Sequence, residues 1–187
     1  MSNFLYAIDN ILSEKDCLKY IKLFDNPNNV EEINDKHRKY YRVQFQDEDL
    51  ANILFEKIKN YIPKKIKKIT VGLNKYIRLS KYKSGQFFGI HKDGINFDKN
   101  NKQNMSYATL NIFLNDDFDG GETIFYDNSK KNVTLLCKPK RGRGSFFYSQ
   151  QYHEGAKIIK GFKYLLRTDL MINHNKWIYL HISELQT

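Results

Sequence analysis

The chain has 187 residues, 41% hydrophobic, 14% aromatic and 28% charged, which is enough to bury one core and short for two domains. That balance excludes a disordered chain and a coiled coil. Lysine and arginine total 31 against 21 acidic residues, a formal charge of +10, which admits an acidic partner but, with Lys, Asn and Ile abundant throughout, supports nucleic acid only weakly.

Ser13 followed by Glu14 and Asp16 reads as a helix cap with an acidic first turn, and Cys17, Leu18, Ile21 and Phe24 recur at helical spacing. A first helix is predicted from about Ser13 to Phe24. Asp25 to Asn29 is turn-rich around Pro27, after which Arg42-Val43-Gln44-Phe45 alternates as a short strand. A second helix carries Leu50, Ile53, Leu54 and Ile58 on one face, with Pro63 just past its end. From Thr70 the period changes to two, with Tyr76, Arg78, Ser80 and Tyr82 set against Ile77, Leu79 and Lys81.

Further strands are predicted at Tyr107–Leu114, Glu122–Tyr126, Gly144–Tyr148, Lys157–Ile159, Lys163–Ile172 and Trp177–His181, each bounded by turn residues. Helices followed by many short strands predict a mainly β fold with flanking α-helices, a sandwich or barrel in one domain over 1–187. Residues 1–69 are expected to form a helical N-terminal support and 70–187 the β core. The basic runs Lys64 to Lys68 and Lys138 to Arg143 read as a helix end and a solvated loop.

Cys17 and Cys137 form no CxxC pair, which fits neither a disulfide framework nor a thiolate zinc site. Met1 to Tyr6 lacks a basic segment leading into an apolar one, and no window approaches a membrane span. A soluble protein in the cytoplasm or another intracellular compartment is expected.

His91-Lys92-Asp93 and the distant His153 carry the chemistry. On an extended segment, residues two apart share a side, so His-x-Asp offers two ligands to one metal. A second imidazole completes a facial triad that leaves three adjacent octahedral positions open, the arrangement of an Fe(II) oxygenase. Zinc accepts the same donors but, being redox-inert, has no use for three open positions. His-x-Asp alone also occurs in ordinary surface turns, so the surrounding residues decide. His37, His174 and His181 have no partner at ligand spacing, and Trp177 reads as a packing residue.

Gly120-Gly121-Glu122-Thr123-Ile124-Phe125, Gly144-Ser145-Phe146-Phe147, His153-Glu154-Gly155 and Gly161-Phe162-Lys163-Tyr164 follow in order. With His91 and Asp93, this set resembles the prolyl 4-hydroxylase-like family of Fe(II) and 2-oxoglutarate-dependent dioxygenases, from the first helix to about Ile172. The resemblance implies a double-stranded β-helix, a jelly-roll or cupin-like barrel, with N-terminal helices packed on the major sheet. It implies His91, Asp93 and His153 as iron ligands and catalytic centre. Lys163, ten residues beyond the distal histidine, would pair with the C5 carboxylate of 2-oxoglutarate, where a charge-assisted hydrogen bond is strong. Arg167, of the same strand parity, is the second candidate for that contact, and Tyr82 matches a tyrosine that reaches the cosubstrate. Asn111 and Phe113 would floor the pocket.

The implied cofactors are Fe(II), 2-oxoglutarate and O2, with ascorbate in support. The implied reaction hydroxylates a C–H bond, foremost of a prolyl residue in a peptide or protein, with release of succinate and CO2. Collagen-type relatives carry a tryptophan six residues after the binding lysine, where this chain has Asp169. An oxygenase of a free amino acid, other small molecule or nucleic acid base therefore stays open, as does a non-catalytic binding module. Ile95 to Met105 is the candidate lid.

Overall fold

Ser13 caps the first helix: in the computed structural model, which describes residues 4–178, its side chain accepts the Asp16 backbone N–H at 3.1 Å. Helix α1 spans Glu14–Ile21 and tightens into a 3-10 turn over Lys22–Asp25. Asp47 caps α2 (Glu48–Ile58) by accepting from the Leu50 N–H at 2.8 Å, and a short α3 (Lys64–Lys67) follows Pro63. The buried stripe of α2 runs through Leu50, Ala51, Leu54 and Ile58. That choice of stripe turns Ile53 outward, 56% exposed, against the sequence expectation.

The N-terminal segment is sheet as well as helix. Strands β1 (Leu5–Ile8), β2 (Glu31–Asp35) and β3 (Arg38–Gln46) all lie within it, and β3 sits in the middle of the main sheet. A helical support over 1–69 therefore describes only part of that segment. Then follow β4 (Thr70–Leu73), β5 (Tyr76–Lys83), β6 (Phe88–His91), β7 (Asn104–Phe113), β8 (Asp119–Gly120), β9 (Thr123–Tyr126) and β10 (Val133–Cys137). The last four are β11 (Gly144–Tyr148), β12 (His153–Gly155), β13 (Ile158–Lys160) and β14 (Phe162–Asn173). The strand predicted at Trp177–His181 does not form in its described part: Asn173 accepts the Lys176 N–H at 3.0 Å and starts a helical turn over 174–178. Residues 179–181 lie outside the described residues.

The strands pair antiparallel in the order β1-β11-β7-β14-β5-β3, and a single Arg38–Phe88 bridge carries the path on to β6-β12-β9-β10. Strand alternation gives the first run two buried faces. One face sets Ile77, Leu79, Leu110, Ile112, Phe146 and Leu166 against Cys17 and Tyr20 of α1 and Leu54 and Ile58 of α2. The other sets Phe113, Phe147 and Leu165 against Phe125 and Cys137 of the second run. His153 packs on Phe125 and Phe147 on this inner side. No helix among the described residues is long and apolar enough to cross a membrane.

Leu166 lies fully buried between Leu79 of β5 and Ile112 of β7. Leu166→Ala is expected to remove about 3 kcal/mol of stability, a fall in Tm of ~10 °C by the usual size scaling. Thermal unfolding followed by circular dichroism checks this.

Candidate functional site

Strands β6 and β12 pair so that His91 lies directly opposite His153. Asp93 stands two residues beyond the end of β6, where its N–H donates to the Ser149 carbonyl at 2.9 Å. One ligand atom from each of the three lies within 4.8 Å of the others, a group that could hold a metal ion. The Nδ1 of His91 lies 2.8 Å from the Gly89 carbonyl and that of His153 2.9 Å from the Gln151 carbonyl. A carbonyl only accepts, so both Nδ1 atoms carry the proton and both Nε2 lone pairs are left toward Asp93. The Nε2 to carboxylate distances are 3.6 and 3.8 Å, spaces that a shared cation would fill.

Burial pushes the His153 imidazole down to about 4, which keeps it a neutral ligand. Burial alone would raise the Asp93 carboxyl. The Arg167 charge and the Thr109 hydrogen bond outweigh it and hold Asp93 well below the usual carboxylate range. Thr109 donates to Oδ2 at 2.6 Å and Arg167 donates to Oδ1.

Lys163 is 2% exposed. Its Nζ donates to the Gly121 carbonyl at 2.7 Å and stands 5.1 Å from the centre of the Tyr82 ring and 5.5 Å from that of Phe113. It makes no ion pair with a described carboxylate. Burial therefore pushes the ammonium down to about 8, opposed by the longer-range field of Glu122. A buried cation with spare donors is unfavourable until an anion arrives. Gly120 and Gly121 adopt φ of +76° and +70°, the left-handed region that glycine tolerates. A Cβ at Gly121 would stand 2.4 Å from Ile158 and 3.2 Å from the Lys163 stem.

The cavity, about 310 Å³, takes in His91, Asp93, His153, Lys163, Tyr82 and Arg167, so every residue singled out as a ligand or cosubstrate contact is brought together. Arg167 is committed elsewhere than the lysine. Besides Asp93 it donates to Asp169 through Nε at 3.3 Å and Nη2 at 3.1 Å. Tyr82 lies directly opposite Lys163 and stacks on Tyr40 at 5.0 Å. Asn111 lines the cavity with its Oδ1 buried and unpartnered, while Phe113 sits in the inner core.

Sequence reasoning missed Thr109, Asp169 and Arg78, which donates to Asp169. Strand parity held the signal: Asp169 shares parity with Lys163, and Arg78 with Tyr82. His174 packs instead on Phe97, at 5.7 Å between ring centres, and His181 lies outside the described residues. The lid segment exposes Ile95 and Phe97 by about half, while Met105 is buried on β7.

Residues 77–171 match the model of the 2OG-Fe(II) oxygenase superfamily. Prolyl 3-hydroxylase 2 of Mus musculus is 44% identical over 54 residues, and that of Homo sapiens 42% over 57. The matched segments are 28% and 29% of this chain and 8% of either protein. Among solved structures, the viral collagen prolyl hydroxylase vCPH of Paramecium bursaria Chlorella virus-1 in its 2OG complex aligns at TM-score 0.67 and 21% identity, over 90% of this chain and 96% of that one. A Pseudomonas putida prolyl-4-hydroxylase aligns at 0.67 and 11%, over 90% and 92%. A Trichoplax adhaerens prolyl hydroxylase in complex with a hypoxia inducible factor peptide fragment aligns at 0.66 and 15%, over 93% and 86%. The shared architecture is the double-stranded β-helix with helices on its larger sheet.

Replacing Lys163 by Met exchanges an unpaired buried charge for an apolar chain of similar length. The ligand-free variant is expected to be more stable by about 1–3 kcal/mol and to lack the rise in Tm that 2-oxoglutarate is expected to give the parent. Below pH 8 the parent carries the cost of the charged lysine. From about 8 to 10.5 the unfolded chain binds more protons than the folded one, so parent stability rises with pH. The advantage of Lys163→Met therefore shrinks across that window, which melts at stepped pH measure.

Proposed function

The chain belongs to the 2OG-Fe(II) oxygenase superfamily and is a 2-oxoglutarate-dependent dioxygenase, and from that premise we propose that it hydroxylates a prolyl residue of a peptide or protein. One atom of dioxygen enters the C–H bond as hydroxyl and the other enters 2-oxoglutarate, which leaves as succinate and CO2. The observation that carries this reading is the convergence on one cavity of His91, Asp93 and His153 with the buried, unpaired Lys163.

In this reading His91, Asp93 and His153 hold Fe(II), which supplies the redox chemistry that divides dioxygen between cosubstrate and substrate. The Gly89 and Gln151 carbonyls fix both imidazoles in the ligating tautomer. Arg167 and Thr109 orient the carboxylate and keep it ionised. Lys163 takes the C5 carboxylate of 2-oxoglutarate through donors that Gly121 leaves free, and that contact restores its charge balance. Tyr82 walls the cosubstrate site. Phe88, stacked on His91 at 3.6 Å between ring centres, covers one side of the ligand from water. Ascorbate keeps the iron reduced between turnovers. The prolyl substrate is supported by the names of the curated relatives and of the solved neighbours, and a peptide by the half-exposed apolar side chains of Ile95 and of Phe97, which lines a groove adjoining the cavity.

His91 is the ligand whose removal disturbs the fold least, its side chain being 19% exposed. Asp93→Ala would strand Arg167 in a buried half-pair, at a cost of roughly 3–5 kcal/mol, so a ligand test on Asp93 mixes folding with chemistry. His91→Ala is expected to keep its circular dichroism spectrum and lose iron-dependent succinate formation by at least ~100-fold, since even outer partners of a metal contribute 10–100-fold. Full activity in that variant would overturn the triad. With the parent, a pool of proline-rich peptides should gain one oxygen by mass spectrometry. Succinate without peptide oxidation would discard the peptide substrate.

A further inference from the structure

Arg78 lines the iron-side cavity and also an adjoining groove of about 260 Å³ bounded by Tyr76, Asn96, Phe97 and Lys99. A substrate running from the groove into the cavity passes it. Its Cα partner on β14 is Arg167, so two guanidiniums face each other at directly opposed positions, an arrangement that is destabilising unless anions compensate. Two buried carboxylates are at hand. Asp169 receives hydrogen bonds from both arginines, and Asp93 receives one from Arg167. Once Asp93 is given to the metal, the two cations share Asp169.

Arg78 spends one donor on Asp169, and its Nε and Nη1 make no hydrogen bond with a described residue. Each edge of the planar fork that matches a carboxylate pairs Nη2 with either Nε or Nη1, and Nη2 carries two N–H groups, so with one of them on Asp169 the other edge stays free. Arg38, Arg42 and Lys92 add positive charge to the same cavity wall, whose one carboxylate is Asp93. Arg38 and Arg42 are satisfied by Asp35 and Glu31 at the exposed rim, which leaves Arg78 as the wall arginine with donors to spare toward the groove, apart from Lys163 at the cosubstrate end and Lys92 over the Tyr152 ring. The Asn111 Oδ1, buried in the cavity without a partner, is a second polar group there that awaits one.

We propose that the residue to be hydroxylated is recognised together with an adjacent carboxylate, which docks on the free edge of Arg78 where the cavity opens into the groove. The inference rests on the peptide reading above and names its substrate class, a prolyl residue flanked by an acidic one. The site is distinct from the cosubstrate anchor. Arg78 and Tyr82, which lies opposite Lys163, are four residues apart on β5, about 13 Å of strand, so Arg78 and Lys163 mark separate places along the sheet. A carboxylate of this kind comes from an acidic side chain or from the α-carboxylate of a free amino acid.

The test uses the holoenzyme with Fe(II) and 2-oxoglutarate under nitrogen, where substrates bind without turning over. Calorimetry compares one proline peptide whose neighbouring residue is Glu, Gln or Lys, together with free L-proline. The Glu peptide is expected to bind at least about tenfold more tightly than the Gln peptide, the scale of a hydrogen bond between charged groups. Arg78→Gln should remove that preference while 2-oxoglutarate affinity stays within about twofold. Tighter binding of free proline, also lost in Arg78→Gln, would keep the subsite and assign it to an α-carboxylate. Equal binding of the Glu and Gln peptides, a preference for Lys, or binding of none of the four would overturn the proposal in the parent alone, whether or not the variant folds. Admitting oxygen then separates the two readings. Hydroxylation of Glu and Gln peptides alike keeps the prolyl hydroxylase and removes the carboxylate subsite. Tight binding of the Glu peptide without oxidation does the reverse.

Discussion

A carboxylate taken out of water must be paired before it can be offered to a metal, and the placement of Asp93 organises the strands around it. Asp93 leaves the sheet just after β6, and three separate elements reach it: Thr109 from β7, Arg167 from β14, and the Ser149 carbonyl that accepts its N–H. Each is fixed by the register of a neighbouring pair. Arg167 can reach only because β14 lies between β7 and β5 with Arg167 opposite both Asn111 and Arg78. Moving that register by one residue would send Arg167 into the helical core and bring Leu166 to the metal. Geometry at the site and packing beneath the helices are thus one constraint seen from two faces of β14.

Lysine and arginine divide the work along that strand for a physical reason. Arg167 keeps its charge in a buried setting and presents a fork with edges for two carboxylates, so it suits a permanent bridge between Asp93 and Asp169. Lys163 is a compact point charge whose affinity for its proton falls readily on burial, and it is held by one carbonyl. That weaker commitment leaves donors free for the dianion that the proposed reading assigns to it. Under that proposal stability and cosubstrate binding pull in opposite directions at position 163, as is usual where a site keeps a charge ready for a ligand.

Much of this could be read in the chain because it is written in short-range patterns. The cap at Ser13, the alternation after Thr70 and the glycine-bounded strand over Gly144–Tyr148 reappear with small boundary shifts. His91 and His153 came from composition and order, and β6–β12 pairing brings them opposite each other. What stayed hidden depends on partners distant in sequence. Strand β2, Glu31–Asp35, has no buried face and alternates weakly; it is a strand because β3 offers it an edge. The Phe88–His91 strand is too short, with glycine inside it, to show a period. The ion pairs of Arg167 with Asp93 and Asp169 could not be read without knowing which strands flank β14, whereas its parity with Lys163 could.

The residue six positions after Lys163 shows how one side chain can redirect a shared site. Parity puts Asp169 on the inner face with Lys163 and Arg167. Here the position is a fully buried carboxylate, and such a group requires cationic partners of its own. Arg167 supplies one from the same strand and Arg78 a second from β5. Fitting an acid there therefore brings in two bases, and Arg78 and Arg167 make the cavity wall beside His91, Asp93 and His153 cationic. Metal, cosubstrate anchor and barrel can be common to a family while the surface that meets the substrate carries the opposite chemistry. In the proposed reading the reaction rests on the residues around His91, whereas the choice of substrate rests on how the charge of Asp169 is balanced.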